Sequence, residues 1–563
     1  MKVIIVGGVA GGATAAARIR RLDEHAEITV FERSGYISYA NCGLPYYIGD
    51  VITDPEELTL QTPESFFKRF RINMKIHHEV ISIHSERKTV SVKNLENGEI
   101  FEENYDKLIL SPGAKPTQPR LPGVGMDKLF TLRTVEDTFR IKEYINKNHP
   151  KSAVLAGGGF IGLELAENLR ELGMDVTIVQ RPKQLMNPFD PDMASMIHNE
   201  MRKHGIKLVL GYTVEGFKEK DNGVEVLLKD NPSLQADMVV LAIGVTPDTA
   251  LAKEAGLELG IKGSIVVNDR METSVPDIYA AGDAVQVKHY VTGDDALISL
   301  AGPANKQGRI IADNICGGDS RYLGSQGSSV IKVFDMTAAT TGINETNAKK
   351  SGLDIDTVIL SPMSHAGYYP GGKVMTMKVV FEKETYRLLG AQIIGYEGVD
   401  KRIDVLATAI HAGLKATQLK DLDLAYAPPY SSAKDPVNMA GFMIDNIAKG
   451  TLKQWHLEDM DKISKDKSVV LLDVRTVGEF NRGHMDGFRN IPVDELRERI
   501  NEIEKGKPVY LICQSGLRSY IASRILEGNG YETYNFSGGF RFYDAVVNDR
   551  ALIERAYACG MDY

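Results

Sequence analysis

Two glycine-rich turns, each placed between an apolar run and a helical pattern, constrain this chain more than any other feature. The first is GGVAGG at positions 7–12, which follows the apolar run 3–6 and precedes a predicted helix over 13–21. A tight glycine turn lets backbone N–H groups approach a pyrophosphate, and the N-terminus of the helix that follows favours its negative charge. The sequence therefore predicts a dinucleotide-binding fold at its beginning.

A predicted strand over 27–31 ends at Glu32, where this fold hydrogen-bonds a ribose hydroxyl. One feature departs from the G-x-G-x-x-G pattern, because Val9 stands at its middle glycine. The residues predicted to bind this first dinucleotide are Gly7, Gly8, Val9, Ala10, Gly11, Gly12, Glu32 and Arg33.

A second copy of the pattern follows the apolar run 153–156 and matches the full glycine spacing. A helix over 163–172 and a strand over 176–179 are predicted after it. Gln180 and Arg181 then stand where an acidic residue would select NAD. A neutral amide does not repel a 2′-phosphate and a guanidinium can pair with one, so both NADH and NADPH remain open. The predicted contacts are Gly157, Gly159, Phe160, Ile161, Gly162 and Gln180.

A third segment, TSVPDIYAAGDA at 273–284, is a short strand that ends in a glycine and an acid. It resembles the second FAD fingerprint of the pyridine nucleotide–disulfide oxidoreductases, in which the aspartate holds the ribityl chain. The stretches 105–114 and 236–247 resemble the linking strands of that superfamily. The resemblance implies FAD in the first copy and NADH or NADPH in the second, with hydride passing from nicotinamide to flavin. It adds Ser111, Pro112, Gly113, Gly244, Gly282, Asp283, Pro303, Ala304 and Asn305 to the cofactor-binding residues.

A single cysteine, Cys42, lies in SYANCGLPY at 38–46, on a loop that enters a helix. The helix dipole is expected to lower the pKa of this thiol. Disulfide reductases with an internal redox pair carry a second cysteine five residues on, but here that residue is Tyr47. A lone thiolate beside a flavin can form a mixed disulfide with a small thiol, or it can cycle through sulfenic acid while reducing peroxide or oxygen.

Basic residues favour the mixed disulfide. Arg18 and Arg21 are three apart on one predicted helix and share a face, and Lys434 supplies a third cation. Such a cluster suits the phosphates of coenzyme A. Residues 1 to about 445 resemble the coenzyme A-disulfide reductases, the single-cysteine branch of the family, through the Cys42 motif, HAGYYPG at 365–371, KRIDVLATAI at 401–410 and YAPPYSSAKDPVNMAG at 426–441.

The resemblance implies a homodimer in which Tyr368 and Tyr426 reach the cysteine site of the neighbouring subunit. A phenol can donate a hydrogen bond or a proton to the departing thiolate. The family's basic residue near Phe70 is not plainly matched, and Arg71 is the flanking residue we assign to that role. The implied coenzyme A contacts are Thr14, Arg18, Arg21, Ser38, Asn41, Arg71 and Lys434.

A second chemistry is predicted after Gly450, where a polar, helix-like link over 453–467 leads into a new hydrophobic pattern. Strands over 469–473, 509–513 and 531–535 alternate with helices, which predicts a parallel sheet. The loop CQSGLRS at 513–519 can curl backbone N–H groups around Cys513 and stabilise a thiolate or persulfide. Arg518 can hold either the loop or an incoming anion.

With LDVR at 472–475, GH at 483–484 and NIP at 490–492, this segment resembles a rhodanese domain, whose cysteine carries a transferable sulfur. Two alternatives are a phosphatase-like anion loop, which usually places its arginine one residue later, and an inactive rhodanese that serves as a binding module.

The predicted fold class is α/β, with two Rossmann-like dinucleotide-binding domains, an α+β dimerisation domain and a C-terminal α/β rhodanese domain. The predicted boundaries are 1–149 with 245–325 for FAD, 150–244 for NAD(P)H, 326–450 for dimerisation and 451–563 for the link and the rhodanese domain.

Net charge is −9, which argues against nucleic acid or anionic membrane as a partner. No apolar run approaches the about 18 residues of a membrane span.

The four cysteines lie far apart in the chain, so they do not form a disulfide framework, and they indicate a cytoplasmic protein. Of these, Cys316 is expected in a core or at a helix end and Cys559 to be passive. No metal site is predicted.

The predicted function is FAD-dependent reduction of coenzyme A disulfide, or of its persulfide or polysulfide, by NAD(P)H. Cys42 forms a mixed disulfide with coenzyme A, and Cys513 carries persulfide sulfur. The alternatives are an NADH peroxidase or oxidase that uses Cys42 as sulfenic acid, a sulfurtransferase with a structural flavin, and a non-catalytic redox or coenzyme A sensor.

Overall fold

A computed structural model describes residues 1–220 and 223–558 and divides them into two compact units. Of the described residues, one unit comprises 1–182, 205–220 and 223–327, and the other comprises 183–204 and 328–558. No helix among the described residues is long and apolar enough to cross a bilayer. The four predicted domain boundaries stay predictions.

The first unit contains two five-stranded parallel sheets, each with a helix directly after its glycine turn. In sheet order the strands of the first are Ile278–Ala280, Lys107–Leu110, Lys2–Val6, Glu27–Phe31 and Asn73–Lys75. Those of the second are Leu129–Thr131, Met238–Leu241, Ser152–Ala156, Asp175–Gln180 and Lys207–Leu210. The helices Ala10–Leu22 and Phe160–Glu171 follow the two turns and begin three residues earlier than the pattern predicted. The two Rossmann-like sheets are confirmed.

Smaller elements complete this unit. The antiparallel strands are His78–His84, Thr89–Asn94 and Ile100–Asn104; Val214–Lys220, Gly223–Leu228 and Asn231–Ala236; Ile37–Tyr39 with Thr59–Gln61; Ala114–Pro116 with Val245–Pro247; and Val287–Lys288 with Asp295–Ala296. The other helices are Leu44–Ile48, Pro63–Phe70, Val135–Asn148, Ala250–Glu254 and Ala301–Ile315, and the 3-10 turns are Asn41–Gly43, Pro55–Leu58, Ile261–Gly263 and Gly282–Ala284.

The second unit begins with a five-stranded antiparallel sheet. In sheet order its strands are Ser329–Val333, Met336–Gly342, Leu388–Gly395, Thr376–Glu382 and Ile355–Leu360. Every residue of Leu388–Gly395 is buried, because this central strand is covered on both faces. The helices of this region are Pro191–Lys203, Glu345–Lys350, Val399–His411 and Pro436–Ala448, with a 3-10 turn at Ala416–Asp421.

The same unit ends in a five-stranded parallel sheet. Its strands are Gln454–Trp455, Thr533–Phe536, Val509–Ile512, Val470–Asp473 and Arg489–Asn490, and its helices are Met460–Ile463, Val477–Asn481, Leu517–Glu527 and Gly539–Ala558, with 3-10 turns at Leu457–Asp459 and Ile500–Glu502. The helix-like link expected over 453–467 is helical only over 457–463. It starts with an edge strand because the buried Trp455 packs on Phe536, with ring centroids 4.5 Å apart.

Buried polar contacts tie this last sheet to the rest of its unit. Nδ1 of His198 lies 2.8 Å from a carboxylate oxygen of Asp549, and Nε2 accepts the N–H of Leu185 at 2.9 Å. The backbone N–H of Ile359 donates to the Ser537 hydroxyl at 3.0 Å. The C-terminal sheet is therefore held by specific partners in a single compact unit.

Candidate functional site

The first glycine turn leaves no room for side chains where a diphosphate would approach. A Cβ on Gly7, which has φ +97°, would lie 2.1 Å from the Ser111 carbonyl oxygen, and one on Gly12 would lie 1.9 Å from the Gly7 carbonyl oxygen. Helix Ala10–Leu22 begins without a side-chain cap and without an acid in its first turn. Its first N–H groups are thus available to an anion.

Glu32 is held rigidly at the end of the next strand. One carboxylate oxygen accepts the Gly8 N–H at 2.8 Å, and the other accepts the Ser34 N–H at 2.9 Å. This buried carboxylate lies at the strand end where the spacing predicts a ribose contact, and the contact itself stays a prediction.

Further predicted flavin contacts meet around the same turn. The Cβ position of Gly11 lies 2.8 Å from the Ser111 hydroxyl and 3.5 Å from the Ala304 carbonyl oxygen. Asp283 accepts a hydrogen bond from Arg133 at 2.7 Å, a partner that nothing in the sequence indicated. The cradle of small residues, the uncapped helix and the two carboxylates fit the diphosphate, ribose and ribityl groups of FAD.

One residue from the predicted flavin set is engaged elsewhere. Arg33 forms an ion pair with Asp248 at 2.8 Å, and more than half of its side chain is exposed. A contact between Arg33 and the cofactor would therefore compete with the Arg33–Asp248 ion pair.

The second glycine turn repeats the first with one change of charge. A Cβ on Gly157 would lie 2.2 Å from the Ala242 carbonyl oxygen, whereas a Cβ on Gly159 would meet nothing within 4 Å. The side-chain oxygen of Gln180 accepts the Gly158 N–H at 3.0 Å, as Glu32 accepts that of Gly8. The second copy therefore presents a neutral amide where the first presents a carboxylate, and Arg181 beside it is exposed.

Cys42 is exposed and lies in the 3-10 turn Asn41–Gly43, directly before the helix Leu44–Ile48. The pKa of its thiol is raised, first by desolvation and then by the charge of Glu164. The expected lowering is wrong, because burial of the thiol and the nearby Glu164 carboxylate both disfavour the thiolate.

Glu164 is a site residue that the sequence did not reveal. It lies on helix Phe160–Glu171, and burial together with Glu167 raises its pKa to about 7. Near neutral pH this carboxyl group is therefore partly protonated, and it acts electrostatically on Cys42 and on Tyr46. The sequence carried no signal for it, because the loop and the helix meet only through packing.

The predicted basic cluster is only partly available to a ligand. Arg18 donates to a carboxylate oxygen of Asp313 at 2.7 Å, so its charge is already paired. The Arg21 guanidinium lies 5.8 Å from the ring centroid of Phe70, and that of Arg71 lies 5.2 Å from the ring centroid of Phe67.

The other predicted coenzyme A contacts are spread over both units. The Thr14 hydroxyl donates to Asn305 at 2.5 Å. Ser38 has a left-handed backbone with φ 45°, and Asn41 is half-buried in the cysteine turn. Lys434 is exposed in the second unit.

Two predicted phenols meet in the second unit. The oxygens of Tyr368 and Tyr426 lie 2.7 Å apart, and the side chains are exposed. This hydrogen bond is the main cause that raises the pKa of Tyr426. The pair faces solvent, and Tyr426 keeps its proton over the neutral range.

Cys513 is completely buried at the start of the loop 513–519, which we call the sulfur loop. Its sulfur accepts the Gly516 N–H at 3.1 Å and the Ser519 hydroxyl at 3.2 Å. Gly516 has φ +98°, which favours glycine at this bend. Donors aimed at the sulfur stabilise a thiolate.

Two bidentate ion pairs flank the sulfur loop. Arg518 donates from both terminal nitrogens to Glu479, each at 2.7 Å, and the pKa of Glu479 falls to about 2. Arg475 is buried and donates to Asp473 at 2.9 and 2.7 Å. The structure thus shows Arg518 holding the loop to a neighbouring helix. Thr476 and Glu479 form a capping box, a visible signal that could have located the carboxylate.

The remaining cysteines lie outside these arrangements. Cys316 is partly buried at the C-terminal end of helix Ala301–Ile315, as expected. Cys559 lies outside the described residues.

Three family descriptions match the chain. Residues 1–308 match the pyridine nucleotide-disulphide oxidoreductases, residues 328–436 match the dimerisation domain of that family, and residues 456–545 match the rhodanese-like domain.

Individual relatives agree with these matches. Coenzyme A disulfide reductase of Staphylococcus aureus is 39% identical over 443 residues, which cover 78% of this chain and 99% of the relative. The crystal structure of reduced Bacillus anthracis CoADR-RHD is 48% identical with a TM-score of 0.95 and covers 98% of both chains. A NAD-dependent persulfide reductase from A. fulgidus is 39% identical with a TM-score of 0.90, covering 96% of this chain and 100% of the relative.

Proposed function

This chain belongs to the pyridine nucleotide-disulphide oxidoreductases, and on that premise we propose that it reduces coenzyme A disulfide or coenzyme A persulfide through Cys42. It is an NAD(P)H-dependent flavoprotein reductase with a C-terminal rhodanese domain. Bound FAD supplies the two electrons of NAD(P)H to the cysteine site.

Cys42 performs the first step. Its thiolate attacks one sulfur of coenzyme A disulfide, a Cys42–S–S–coenzyme A bond forms, and one coenzyme A thiolate leaves. With coenzyme A persulfide, the same attack on the inner sulfur releases HS⁻. Two electrons from NAD(P)H then break the mixed disulfide, which releases coenzyme A and regenerates the Cys42 thiolate.

The phenols of Tyr368 and Tyr426 assist the departing thiolate. A thiolate leaves faster when a donor hydrogen-bonds or protonates it. The mutual hydrogen bond keeps the pKa of Tyr426 above its usual value, so the proton is present at neutral pH. In the proposed homodimer, which the dimerisation domain supports, these phenols serve the cysteine of the other subunit.

Cys513 carries sulfur in the same pathway. Its thiolate, stabilised by Gly516 and Ser519, attacks the outer sulfur of a donor and becomes a persulfide. A coenzyme A thiolate then takes that sulfur and becomes the persulfide that Cys42 reduces. The three described cysteines are free, which agrees with a reducing compartment, and we place the enzyme in the cytoplasm.

The observation that carries the proposal is Cys42 as a free cysteine in a chain that also provides two dinucleotide turns. The test uses the FAD-loaded enzyme. NAD(P)H should bleach the flavin in both the wild type and Cys42→Ser, whereas oxidation of NAD(P)H by coenzyme A disulfide should be lost in the variant. Mass spectrometry of the oxidised enzyme should find a coenzyme A adduct on Cys42.

Other outcomes would support the alternatives. Turnover with peroxide but not with coenzyme A disulfide would indicate a peroxidase. Loss of all activity in Cys513→Ala, flavin-dependent turnover included, would indicate a sulfurtransferase with a structural flavin. Tight binding of coenzyme A with slow turnover would indicate a sensor.

A further inference from the structure

The sulfur loop has little net positive charge to offer an incoming anion. Its only cation, Arg518, has both terminal nitrogens bound to Glu479, whose pKa of about 2 keeps it ionised at neutral pH. The neighbouring Arg475 is likewise committed to Asp473. Each guanidinium is therefore matched by one carboxylate.

Three exposed apolar side chains lie on the loop and on the helices that hold it. Leu517, within the loop, is 65% exposed, and Ile521 follows it by one helical turn on the same face at 42%. Val477, two residues before the Glu479 that holds Arg518, is 53% exposed. We call these three residues the apolar rim.

The Cys513 side chain is fully enclosed. Cys513 is 0% exposed, so a donor must bring its own sulfur down into the loop. A sulfur at the end of an unbranched methylene arm is slimmer than one that is bonded directly to a sulfonate group.

From charge, rim and access together we infer that Cys513 takes its sulfur from an organic persulfide with an uncharged, unbranched arm, and that it discriminates against thiosulfate. The inference rests on the proposed sulfur-carrying role of Cys513 and names its substrate class. Thiosulfate is a dianion, and its attack by a thiolate concentrates negative charge that the two carboxylate-paired guanidiniums offset poorly. An organic persulfide brings at most one negative charge, and its arm gains apolar contact with the rim.

The step is balanced without a further reactant. The Cys513 thiolate attacks the outer sulfur of R–S–SH. A new S–S bond joins the Cys513 sulfur to that outer sulfur, and the S–S bond of the donor breaks. The electron pair leaves on R–S⁻, so one thiolate is consumed and one is produced.

One exposed cation near the loop could oppose this preference. Arg541 donates its backbone N–H to the Gln514 carbonyl oxygen at 3.2 Å and has no ion pair among residues 1–220 and 223–558. An Arg541→Ala variant therefore accompanies the test, and its ratio of donor rates should equal that of the wild type.

The experiment compares thiosulfate with N-acetylcysteamine persulfide as donors to the full-length, FAD-loaded enzyme without NAD(P)H. Alkylation and peptide mass spectrometry measure persulfide on Cys513, and Cys513→Ser gives the background. The organic persulfide should load Cys513 faster by about tenfold or more. Leu517→Arg should narrow that ratio by raising the thiosulfate rate, whereas the neutral control Leu517→Gln should leave the thiosulfate rate low.

Equal loading of the wild type from both donors would overturn the inferred donor class and leave the sulfur-carrying role intact. Loading from neither donor would overturn both. The reduction of coenzyme A disulfide at Cys42 is assayed separately, so its failure would count against the reductase proposal alone.

Discussion

The phenol oxygens of Tyr368 and Tyr426 lie 2.7 Å apart, although 58 residues separate them in the chain. Two exposed tyrosines gain little stability from meeting in this way, so the pair is better explained by chemistry than by packing. In this pair one phenol donates its proton to the other, and the accepting phenol keeps its own proton available for a ligand.

Removing either hydroxyl should slow the release of coenzyme A. We expect Tyr368→Phe and Tyr426→Phe each to lower kcat with coenzyme A disulfide by about a hundredfold. The double variant should be little worse than either single variant, because the two hydroxyls act as a unit. Steady-state kinetics checks this, with flavin bleaching by NAD(P)H as the control that should not change. Additive losses would mean that the phenols act independently.

The charge of Glu164 should control the reactivity of Cys42. Because Glu164 titrates at about 7 and opposes the thiolate, Glu164→Gln should lower the pKa of the Cys42 thiol. The rate of iodoacetamide alkylation of Cys42 against pH measures this shift. Glu171→Gln, on the same helix but exposed, is the matched control. An unmoved or higher midpoint in Glu164→Gln would contradict the assignment.

Gln180 should decide how well NADPH is accepted. Gln180→Glu would restore the carboxylate of the first copy and repel a 2′-phosphate, so KM for NADPH should rise by about tenfold or more while KM for NADH changes little. Arg181→Ala should shift KM in the same direction by removing a cation. If both variants left the NADPH to NADH ratio unchanged, this strand end would not select the cofactor.

The ion pair between Arg518 and Glu479 should make the C-terminal domain sensitive to acid. The folded-state pKa of Glu479, about 2, lies below its ordinary 4.5, so the stabilisation is present above pH 4.5 and is lost as the pH falls towards 2. We expect Glu479→Gln to lower the free energy of unfolding by about 1 kcal/mol at neutral pH and by progressively less in acid. The single tryptophan, the buried Trp455, reports this domain by its fluorescence. A difference that did not vary between pH 4.5 and 2 would show that the pair contributes nothing to stability.

Much of the architecture could be predicted from local patterns. The strand, glycine turn and helix around Gly7 and Gly157 depend on residues close in sequence, because a left-handed glycine and a helix start are set by near neighbours. The edge strand at Gln454–Trp455 could not be predicted. It forms because Trp455 packs on Phe536, which lies about 80 residues later in the chain.

For the sites, the sequence alone indicated which sulfur atoms we propose as the reactive ones. Cys42 lacks a neighbouring cysteine and Cys513 opens a glycine-containing loop, and both are properties of a few consecutive residues. Only the tertiary structure decided which charges surround them. Glu164 raises the pKa of Cys42, Asp313 forms an ion pair with Arg18, and Glu479 forms an ion pair with Arg518. The Coulomb energy of each of these pairs depends on distances set by packing between segments far apart in the chain, and residue spacing carries no information about those distances.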